Sequence, residues 1–470
     1  METIRIGGSR LLRIFVVLAA CQLVSCVTPQ TPDPVDHGVR GGGAGAGGPL
    51  KGVAADETAF FTDGQGQFIE AQVVSGEDNN GLGPRFNSNS CASCHSQPSI
   101  GGSSPANNPL IAVATLNGAK NVPPWFIVPD GPVREARFKL QPNGANDGNV
   151  HGLFVITGRS DAPGCDIAQP VFTPAGDPHT AKGGNENIIF RIPTPVFGAG
   201  LIEAIPDSAI LANMRSNATE KEAMGIHGHP NAHLSGNVNR SGNDGTITRF
   251  GWKAQNKSLL LFSAEAYNVE MGVTNQLFPQ EREETPSCLL NATPEDTEHF
   301  TPGTGGPGAI LPDIEKFANF MRLLAPPAPA PDTPSTVSGR AVFERVGCTH
   351  CHTPSLKTGK AIASGSATSP SAALSNQTAN LYSDLLLHHL GTGLADGITQ
   401  GAAGPDEFRT APLWGVGQRV FFLHDGRTSN LVEAIAAHHS SGSEANGVVR
   451  RFQGLPTQEK QQLIDFLRSL

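Results

Sequence analysis

The sequence lacks the features that mark proteins which bind nucleic acids. Its 33 Lys and Arg residues are outnumbered by 42 Asp and Glu residues, so the net charge is −9 at pH 7. The chain contains no stripe of basic residues and no phosphate-binding glycine pattern, and we expect no nucleic-acid partner. Glycine (55) and proline (37) are abundant, and 470 residues suffice for two or three domains. This composition predicts long loops and short regular elements.

The first 25 residues predict a lipoprotein signal peptide. A basic start precedes the apolar segment Ile14–Ala20, which is too short to span a bilayer. The sequence LVSC then ends at Cys26, as in a bacterial lipobox, where the cysteine carries the lipid. An ordinary secretory signal that is cut nearby is the alternative. Because Val27 follows the cysteine, where Asp would favour the inner membrane, we expect a periplasmic protein attached to the outer membrane by its lipid alone.

Composition also predicts how the rest of the chain is divided. Residues 26–55 are rich in Pro and then Gly, which predicts a flexible tether. The Pro-rich segment 325–335 is the clearest domain boundary, so we expect an N-terminal domain over residues 56–330 and a compact C-terminal domain over 335–470. Short apolar runs predict strands within the N-terminal domain, at residues 110–114, 152–156 and 186–192.

Two Cys-x-x-Cys-His motifs carry the most specific chemical signal. They are Cys91/Cys94/His95 and Cys348/Cys351/His352. This pattern is the signature of covalent c-type haem attachment, in which both thiols bond to haem vinyl groups and the histidine binds iron. Two such motifs in a chain with an export signal predict two covalently bound c-type haems.

Two further cysteines lie outside the signal segment and the motifs. Cys165 and Cys288 could form a disulfide, because an oxidising compartment permits one. They could equally remain two buried free thiols, since sequence alone does not give their separation.

The second axial ligand of the C-terminal haem is constrained by the absence of any Met after Met321. A haem that only transfers electrons needs a ligand on each side of its iron, usually His or Met, whereas a reactive haem keeps one side open. Ligation of this haem by a second histidine is therefore the leading interpretation. The candidates are His388, His389, His424, His438 and His439.

Several segments resemble the bacterial di-haem oxidoreductases, also labelled thiol oxidoreductases, which are related to the di-haem cytochrome c peroxidases. The resemblance extends over nearly all of residues 56–470. It implies a mainly α, cytochrome c-like fold of two haem domains, with a β-containing insertion and many loops. The similar segments are Gly81–His95, Pro195–Asp207, Arg249–Ala254, Asn268–Asn275, Ser383–Gly397, Phe408–Gly415 and Leu423–Glu433.

The resemblance also implies residue roles. Glu270 matches the distal acid of the N-terminal haem, which makes it the candidate general acid/base. Trp252 matches a tryptophan that lies between the two haems. His438 takes the position of the distal ligand in the C-terminal domain, in preference to His439. His424 is expected to be structural or to lie close to a haem propionate. A calcium ion between the haems, held partly by backbone oxygens near Arg409–Pro412, is a weaker implication.

Two regions of the chain depart from the family pattern. The family usually reads Leu-His-Asp-Met-Gly where this chain has Leu387–Gly391 (LHHLG), and residues 110–250 form the extra β-containing region. The histidines of the segment HGHPNAH, at positions 227, 229 and 233, could bind a metal, but a loop with scattered histidines is the simpler interpretation.

The expected function is therefore that of an exported di-haem c-type oxidoreductase with peroxidase-like activity. The resemblance implies that electrons enter at the His352 haem from a small cytochrome or cupredoxin, pass Trp252, and reduce peroxide or oxidise another small substrate at the His95 haem. The alternative is a non-catalytic electron-transfer cytochrome with two six-coordinate haems.

Overall fold

The computed structural model describes residues 33–76, 79–141, 143–146, 148–172, 187–232, 246–298, 310–361 and 371–470. Regular structure is mixed rather than mainly α, since 32% of residues are helical and 13% lie in strands. The predicted signal peptide, Cys26 and His233 lie outside these residues. Within them, no helix combines the length and apolar character that crossing a membrane requires.

The described helices are mostly short. They are α1 (Ala55–Ile69), α2 (Cys91–Cys94), α3 (Leu110–Val113), α4 (Ala199–Glu203), α5 (Asp207–Arg215), α6 (Ala218–Met224), α7 (Leu259–Met271), α8 (Asp313–Leu323), α9 (Pro334–Val346), α10 (Leu431–Ala437), α11 (Asn446–Gln453) and α12 (Thr457–Ser469). Single 3-10 turns cover Leu116–Gly118, Pro286–Cys288, Cys348–His350 and Val416–Gln418.

The described strands form small antiparallel sheets of two or three strands each. The largest has the order β3-β2-β5, with Glu135 opposite Arg191 and Phe138 opposite Ile188. The strands are β1 (Arg85–Phe86), β2 (Glu135–Phe138), β3 (Val150–His151), β4 (Phe154–Val155), β5 (Ile188–Arg191), β6 (Asn231–Ala232), β7 (Ile247–Thr248), β8 (Leu356–Lys357), β9 (Thr378–Ala379), β10 (Leu387–His389) and β11 (Glu407–Arg409).

Two pairs of helices pack unusually closely, and a glycine permits each approach. A Cβ on Gly64 of α1 would lie 2.2 Å from the carbonyl oxygen of Lys316 in α8, and a Cβ on Gly339 of α9 would lie 1.9 Å from that of Gln462 in α12. Glycine alone lets the backbones meet at such distances. Between α9 and α12, Phe343 packs against Phe466 with the ring centroids 5.5 Å apart.

One buried hydrophobic cluster is drawn entirely from residues 342–470. Residues 34–470 nevertheless form one compact unit, so the predicted division at residues 325–335 stays a prediction.

The strand predictions are partly correct. Strands β4 and β5 fall within predicted segments, and β2 to β7 all lie between residues 110 and 250, where β structure was expected. The strand predicted at residues 110–114 is wrong, because Leu110–Val113 is a helical turn. Its first amide donates to the side chain of Asn108, at 3.1 Å, and so begins the turn after Pro109. A short apolar run does not by itself distinguish helix from strand.

The described part of the predicted tether, residues 33–55, is attached at several points. Both carboxylate oxygens of Asp36 accept hydrogen bonds from Arg468 at 2.7 Å, and one also accepts from the amide of Leu431 at 2.6 Å. The side chains are only 2% and 9% exposed. Further along, the amide of Arg40 donates to Gly417 and that of Leu50 to Leu323. Composition predicted flexibility here, but these contacts fasten the segment to the C-terminal helices and to α8.

The two remaining cysteines are joined. Cys165 and Cys288 form a disulfide with their Cα atoms 4.7 Å apart, and both are buried. Of the two alternatives that the sequence left open, the structure shows the bonded pair.

Candidate functional site

The first Cys-x-x-Cys-His motif lies on the wall of a large cavity. Helix α2 is a single turn that runs from Cys91 to Cys94, so both thiols lie on one turn and His95 follows directly. All three side chains line an open cavity with about 1320 Å³ of empty space. Neither cysteine is in a disulfide. Burial raises the pKa of the Cys91 thiol to about 12 and that of the Cys94 thiol to about 11.

The ring of His95 is held in one orientation. Its Nδ1 hydrogen-bonds the carbonyl oxygen of Gly102 at 3.0 Å, and Phe68 packs edge-on with its centroid 6.0 Å away. Burial lowers the pKa of His95 to about 4, so the imidazole is neutral at physiological pH. A neutral imidazole that is fixed through Nδ1 presents Nε2 as its ligand atom, which is the arrangement typical of metal-binding histidines.

The predicted acid Glu270 lines the same cavity. It lies near the end of α7, and its Oε2 accepts a hydrogen bond from the Asn87 side chain at 2.8 Å, while its backbone carbonyl accepts from the Asn87 amide. Burial raises the pKa of Glu270 well above its ordinary value, and the adjacent carboxyl of Glu135 raises it further. Sequence reasoning did not single out Glu135 or Asn87: Glu135 stands in no recognisable motif, and Asn87, although it lies in the family-like segment Gly81–His95, was given no role there.

The second motif lines a second cavity, with about 1390 Å³ of empty space. Cys348 lies on a 3-10 turn, and Cys351 and His352 follow it. His438, the residue directly after α10, lines this cavity together with His352. The rings are fixed through Nδ1, which bonds the carbonyl oxygen of Tyr382 at 3.0 Å in His352 and that of Ala434 at 2.7 Å in His438.

His352 and His438 are both suited to bind iron. Burial lowers the pKa of His352 to about 4 and also lowers that of His438. His439 is absent from the described wall of the cavity, whereas His424 and His388 are present. The structure thus brings His352 and His438 together, as the resemblance predicted, although their roles as ligands stay predictions.

His388 has other partners. Its Nε2 bonds Asp384 at 2.9 Å and its Nδ1 bonds Glu444 at 2.7 Å, so both ring nitrogens are engaged. Burial would lower the pKa of His388, but Cys351 and Asp384 raise it well above the usual value. Ligand atoms of Cys351, Asp384 and His388 lie within 4.8 Å of one another, a spacing that a metal ion could bridge. A thioether at Cys351 would remove that option, because its sulfur would no longer be a thiolate.

Two buried arginines test whether the second cavity fits a haem. Nη1 of Arg409 and both Nε and Nη2 of Arg419 are buried without a hydrogen-bond partner among the described residues. Both side chains line the second cavity, and burial lowers the pKa of each to about 10, so both remain charged. Unsatisfied buried guanidinium groups call for anions. The two propionate groups of a haem would supply them, and the residues therefore fit the cofactor.

The calcium expected near Arg409–Pro412 has less support from the structure. The carbonyl of Thr410 accepts the hydroxyl of Ser383 at 2.6 Å, and the Arg409 Nε donates to the carbonyl of Gly251 at 3.0 Å. The Arg409 guanidinium and the Ser383 hydroxyl therefore already occupy part of the region in which calcium was expected. Calcium stays a prediction.

Trp252 lies on the walls of both cavities. Its indole Nε1 donates to the carbonyl of Ile192 at 2.9 Å, and its own carbonyl accepts from the Arg409 amide at 2.9 Å. His424 packs edge-on against it with the ring centroids 6.4 Å apart. Trp252, which the resemblance places between the two haems, thus contributes its side chain to the walls of both cavities.

The described part of the HGHPNAH segment has no cluster of side chains that could bind a metal ion. His227 faces Glu222, with Nδ1 3.5 Å from the carboxylate, while His229 bonds Glu407 at 2.6 Å. The second partner of Glu407 is His389, at 3.2 Å. Each described histidine of this segment therefore has its own acidic neighbour, the exposed Glu222 for His227 and the buried Glu407 for His229.

Comparison with known families identifies the class of protein. The family described as "Di-haem oxidoreductase, putative peroxidase" matches residues 184–470, so the chain belongs to the di-haem oxidoreductases, and haem is the cofactor that this family implies. The match includes Trp252, Glu270, the second motif and His438. It begins after the first motif. A comparison with curated proteins finds no match.

Similar solved structures are distant. Hydrazine synthase from Kuenenia stuttgartiensis is 13% identical, with 94% of this chain and 99% of that chain covered and a TM-score of 0.35. A MauG-like protein associated with microbial copper homeostasis is 17% identical, with 59% and 90% covered and a TM-score of 0.27. The diheme peroxidase BthA from Burkholderia thailandensis is 15% identical, with 66% and 94% covered and a TM-score of 0.29.

Proposed function

We propose that this protein is an exported di-haem c-type cytochrome with peroxidase-like activity at its first cavity. One observation carries the proposal: the cavities are chemically unlike. The first has one histidine on its described wall, His95, and the carboxyl of Glu270 lines it together with Cys91 and Cys94. The second has four histidines, among them His352 and His438, and its one acid, Glu444, bonds His388. An acid beside an iron site favours chemistry, and a second histidine favours electron transfer alone.

The cysteines and histidines of the two motifs would hold the cofactors. Cys91 and Cys94 would form thioether bonds in the first cavity, and Cys348 and Cys351 in the second. When bound, the haems supply the redox electrons and an iron atom at which peroxide binds. Arg409 and Arg419 would orient the cofactor of the second cavity through its propionates.

Glu270 is the group that would hold and move a proton in the first cavity. The hydrogen bond from Asn87 fixes one carboxyl oxygen, and burial keeps the other carboxyl oxygen away from bulk water. A carboxyl with a raised pKa keeps its proton to higher pH than an ordinary glutamate and can act as an acid over that wider range. We place the reaction here and electron entry at the second cavity, with Trp252 as the aromatic group that the two sites share.

Export is the second part of the proposal. The disulfide between Cys165 and Cys288 is typical of oxidising compartments, and the lipobox-like sequence at Cys26 supports a lipid anchor in the outer membrane. Electrons would come from a small periplasmic cytochrome or cupredoxin, and hydrogen peroxide is the simplest substrate.

A second candidate function is electron transfer without catalysis. The thioethers of Met271 and Met321 also line the first cavity, and methionine sulfur is an established type of haem ligand. If either sulfur occupied the sixth position in every redox state, the first cavity would have no open site for a substrate.

The spin state of the first site decides between the two candidates. We would record absorption and electron paramagnetic resonance spectra of the purified protein, oxidised and half-reduced, with and without cyanide. A high-spin signal that binds cyanide supports the peroxidase, and two low-spin signals in every state refute it. Glu270→Gln should then abolish peroxide turnover with haem content unchanged, whereas Glu281→Gln, a carboxyl outside the described cavity walls, should keep full turnover.

A further inference from the structure

Tyr267 is one of two tyrosines in the chain, and it lies on the wall of the first cavity. The residue belongs to α7 and is 3% exposed. Its hydroxyl donates a hydrogen bond to Oδ2 of Asp313, the first residue of α8, at 3.0 Å. The phenol therefore lines the candidate site while its proton is directed at a carboxylate.

Asp313 is well placed to accept that proton. Its other carboxylate oxygen, Oδ1, bonds Nζ of Lys316 at 3.1 Å, and its amide donates to Oδ1 of Asp296 at 2.6 Å, so the side chain is held at the start of α8. The distance of 3.0 Å from the Tyr267 hydroxyl is within the range over which a proton can pass directly. Because the Asp313 side chain is 18% exposed, a proton that arrives there can exchange with solvent.

Packed aromatic rings connect Tyr267 to His95. The ring centroids of Tyr267 and Phe317 are 5.0 Å apart, those of Phe317 and Phe68 are 6.3 Å apart, and those of Phe68 and His95 are 6.0 Å apart. Each separation is typical of aromatic side chains in contact. An unbroken series of rings thus runs from the tyrosine to the histidine that would bind iron.

We propose that Tyr267 is a redox-active residue that gives one electron to the first haem site while its phenolic proton moves to Asp313. The inference rests on the proposed function, in which hydrogen peroxide is the oxidant. Reduction of one peroxide molecule to two water molecules consumes two electrons and two protons. The second haem gives one electron when its iron passes from ferrous to ferric, and Tyr267 gives the other.

The step at Tyr267 breaks its O–H bond. The electron goes to the first haem site, the proton goes to the Asp313 carboxylate, and a neutral tyrosyl radical remains. The protons that form water come by way of Glu270. An electron from the redox partner and the return of the proton from Asp313 then restore the phenol.

Tyr382, the other tyrosine, is the matched control. Its ring packs against Phe343 and Phe466, with centroids 6.2 and 5.8 Å away, and it is absent from the described walls of both cavities. Tyr382→Phe keeps the backbone carbonyl that His352 bonds. In that variant Tyr267 is the only tyrosine that remains, so any tyrosyl radical must be on it.

Electron paramagnetic resonance tests the proposal without measuring turnover. Half-reduced holoprotein, mixed with hydrogen peroxide and frozen rapidly, should give a radical signal that narrows when the protein is made with ring-deuterated tyrosine. Tyr267→Phe should lose this signal, and Tyr382→Phe should keep it. A tyrosyl signal that survives in Tyr267→Phe would overturn the proposal, and so would a radical that deuterated tyrosine does not narrow. If Tyr267→Phe does not fold with its full haem content, labelled Tyr382→Phe gives the assignment.

Variants of Asp313 test the proton transfer. Asp313→Asn should slow the formation of the radical by about 100-fold or more, because an amide cannot accept the proton. Asp313→Glu keeps a carboxylate and should restore the signal. Glu315→Gln changes another acid of the same helical turn and should leave the rate unchanged, since residues two positions apart on a helix do not face each other. Formation of the radical at the wild-type rate in Asp313→Asn would overturn the proposal.

The haem absorption spectrum distinguishes failure of this inference from failure of the proposed function. If peroxide changes the haem spectrum but no tyrosyl radical forms, the proposed function stands and Tyr267 is not the electron donor. If peroxide leaves the haem spectrum of the wild type unchanged, the proposed function is refuted, and the inference that rests on it is refuted as well.

Discussion

The Cys165–Cys288 disulfide allows a quantitative prediction about stability. Replacing both cysteines with alanine removes a cross-link between residues that are 123 positions apart. The bridge joins the segment after β4 to the 3-10 turn at Pro286–Cys288, and this closed loop contains β5, α4 to α7 and Glu270. Its loss should therefore act on the N-terminal part of the structure, including the first cavity.

The magnitude follows from the loop length. In the chain-entropy treatment, closing a loop of this size stabilises the folded state by about 5 kcal/mol at 25 °C, and natural bridges typically contribute about 2–4 kcal/mol. Both cysteines are buried, so the replacement also removes two packed sulfur atoms. We expect the double variant to lose between about 2 and 5 kcal/mol of unfolding free energy.

Urea denaturation followed by circular dichroism measures this loss. Wild-type protein reduced with dithiothreitol is the matched comparison, because the thiol reductant opens the disulfide but does not cleave thioether bonds to haem. Both samples should unfold at similar, lowered urea concentrations, and a peptide map without reductant should contain the Cys165–Cys288 bridge. A double variant as stable as the wild type would refute the reasoning, and so would a map that shows two free thiols.

Two further predictions concern single side chains. Burial would raise the pKa of Asp36, but hydrogen bonds from Arg468, Leu431 and Gly38 lower it below its usual value. The Asp36–Arg468 ion pair therefore stabilises the protein at pH values above about 4, and this contribution is lost as pH falls through the lowered pKa of Asp36. Asp36→Asn should cost about 3–5 kcal/mol near neutral pH and much less in acid, measured by urea denaturation. Asp33→Asn, which changes an exposed carboxyl on the same segment, should cost almost nothing. His438→Ala should convert the second haem from low-spin to high-spin in electron paramagnetic resonance, whereas His439→Ala should leave it low-spin; the reverse result would exchange their roles.

Local spacing allowed the haem motifs to be found from the sequence. Cys91, Cys94 and His95 lie within five consecutive positions, so a haem-attachment motif can be recognised from the order of the residues alone. Trp252 was reached only through the resemblance, and the resemblance alone singled out His438 from the five candidate histidines, since neither residue has a local pattern of its own. Each then proved to line a cavity together with the motif residues.

Contacts between distant segments were not predictable in this way. Asp36 lies in a Pro- and Gly-rich segment, and composition gave no sign that it pairs with Arg468 across 432 positions. The unpaired, buried guanidinium groups of Arg409 and Arg419 had no signal in the sequence, although Arg409 lies in a family-like segment. The strand prediction at residues 110–114 failed for a related reason, because the Asn108 side chain, rather than the apolar run, decides how that turn begins.

The first cavity shows most clearly why only part of the candidate site could be predicted from the sequence. The family match covers residues 184–470, so Glu270 and Trp252 lie inside it, while Cys91, His95 and Glu135 lie before it. The second motif and His438 fall entirely within the match. The first cavity is thus assembled from a part of the chain that the family describes and a part that it does not. The resemblance locates Glu270, but its neighbour Glu135 is supplied by β2, and the two side chains are seen to line one cavity only when that strand and α7 are placed together.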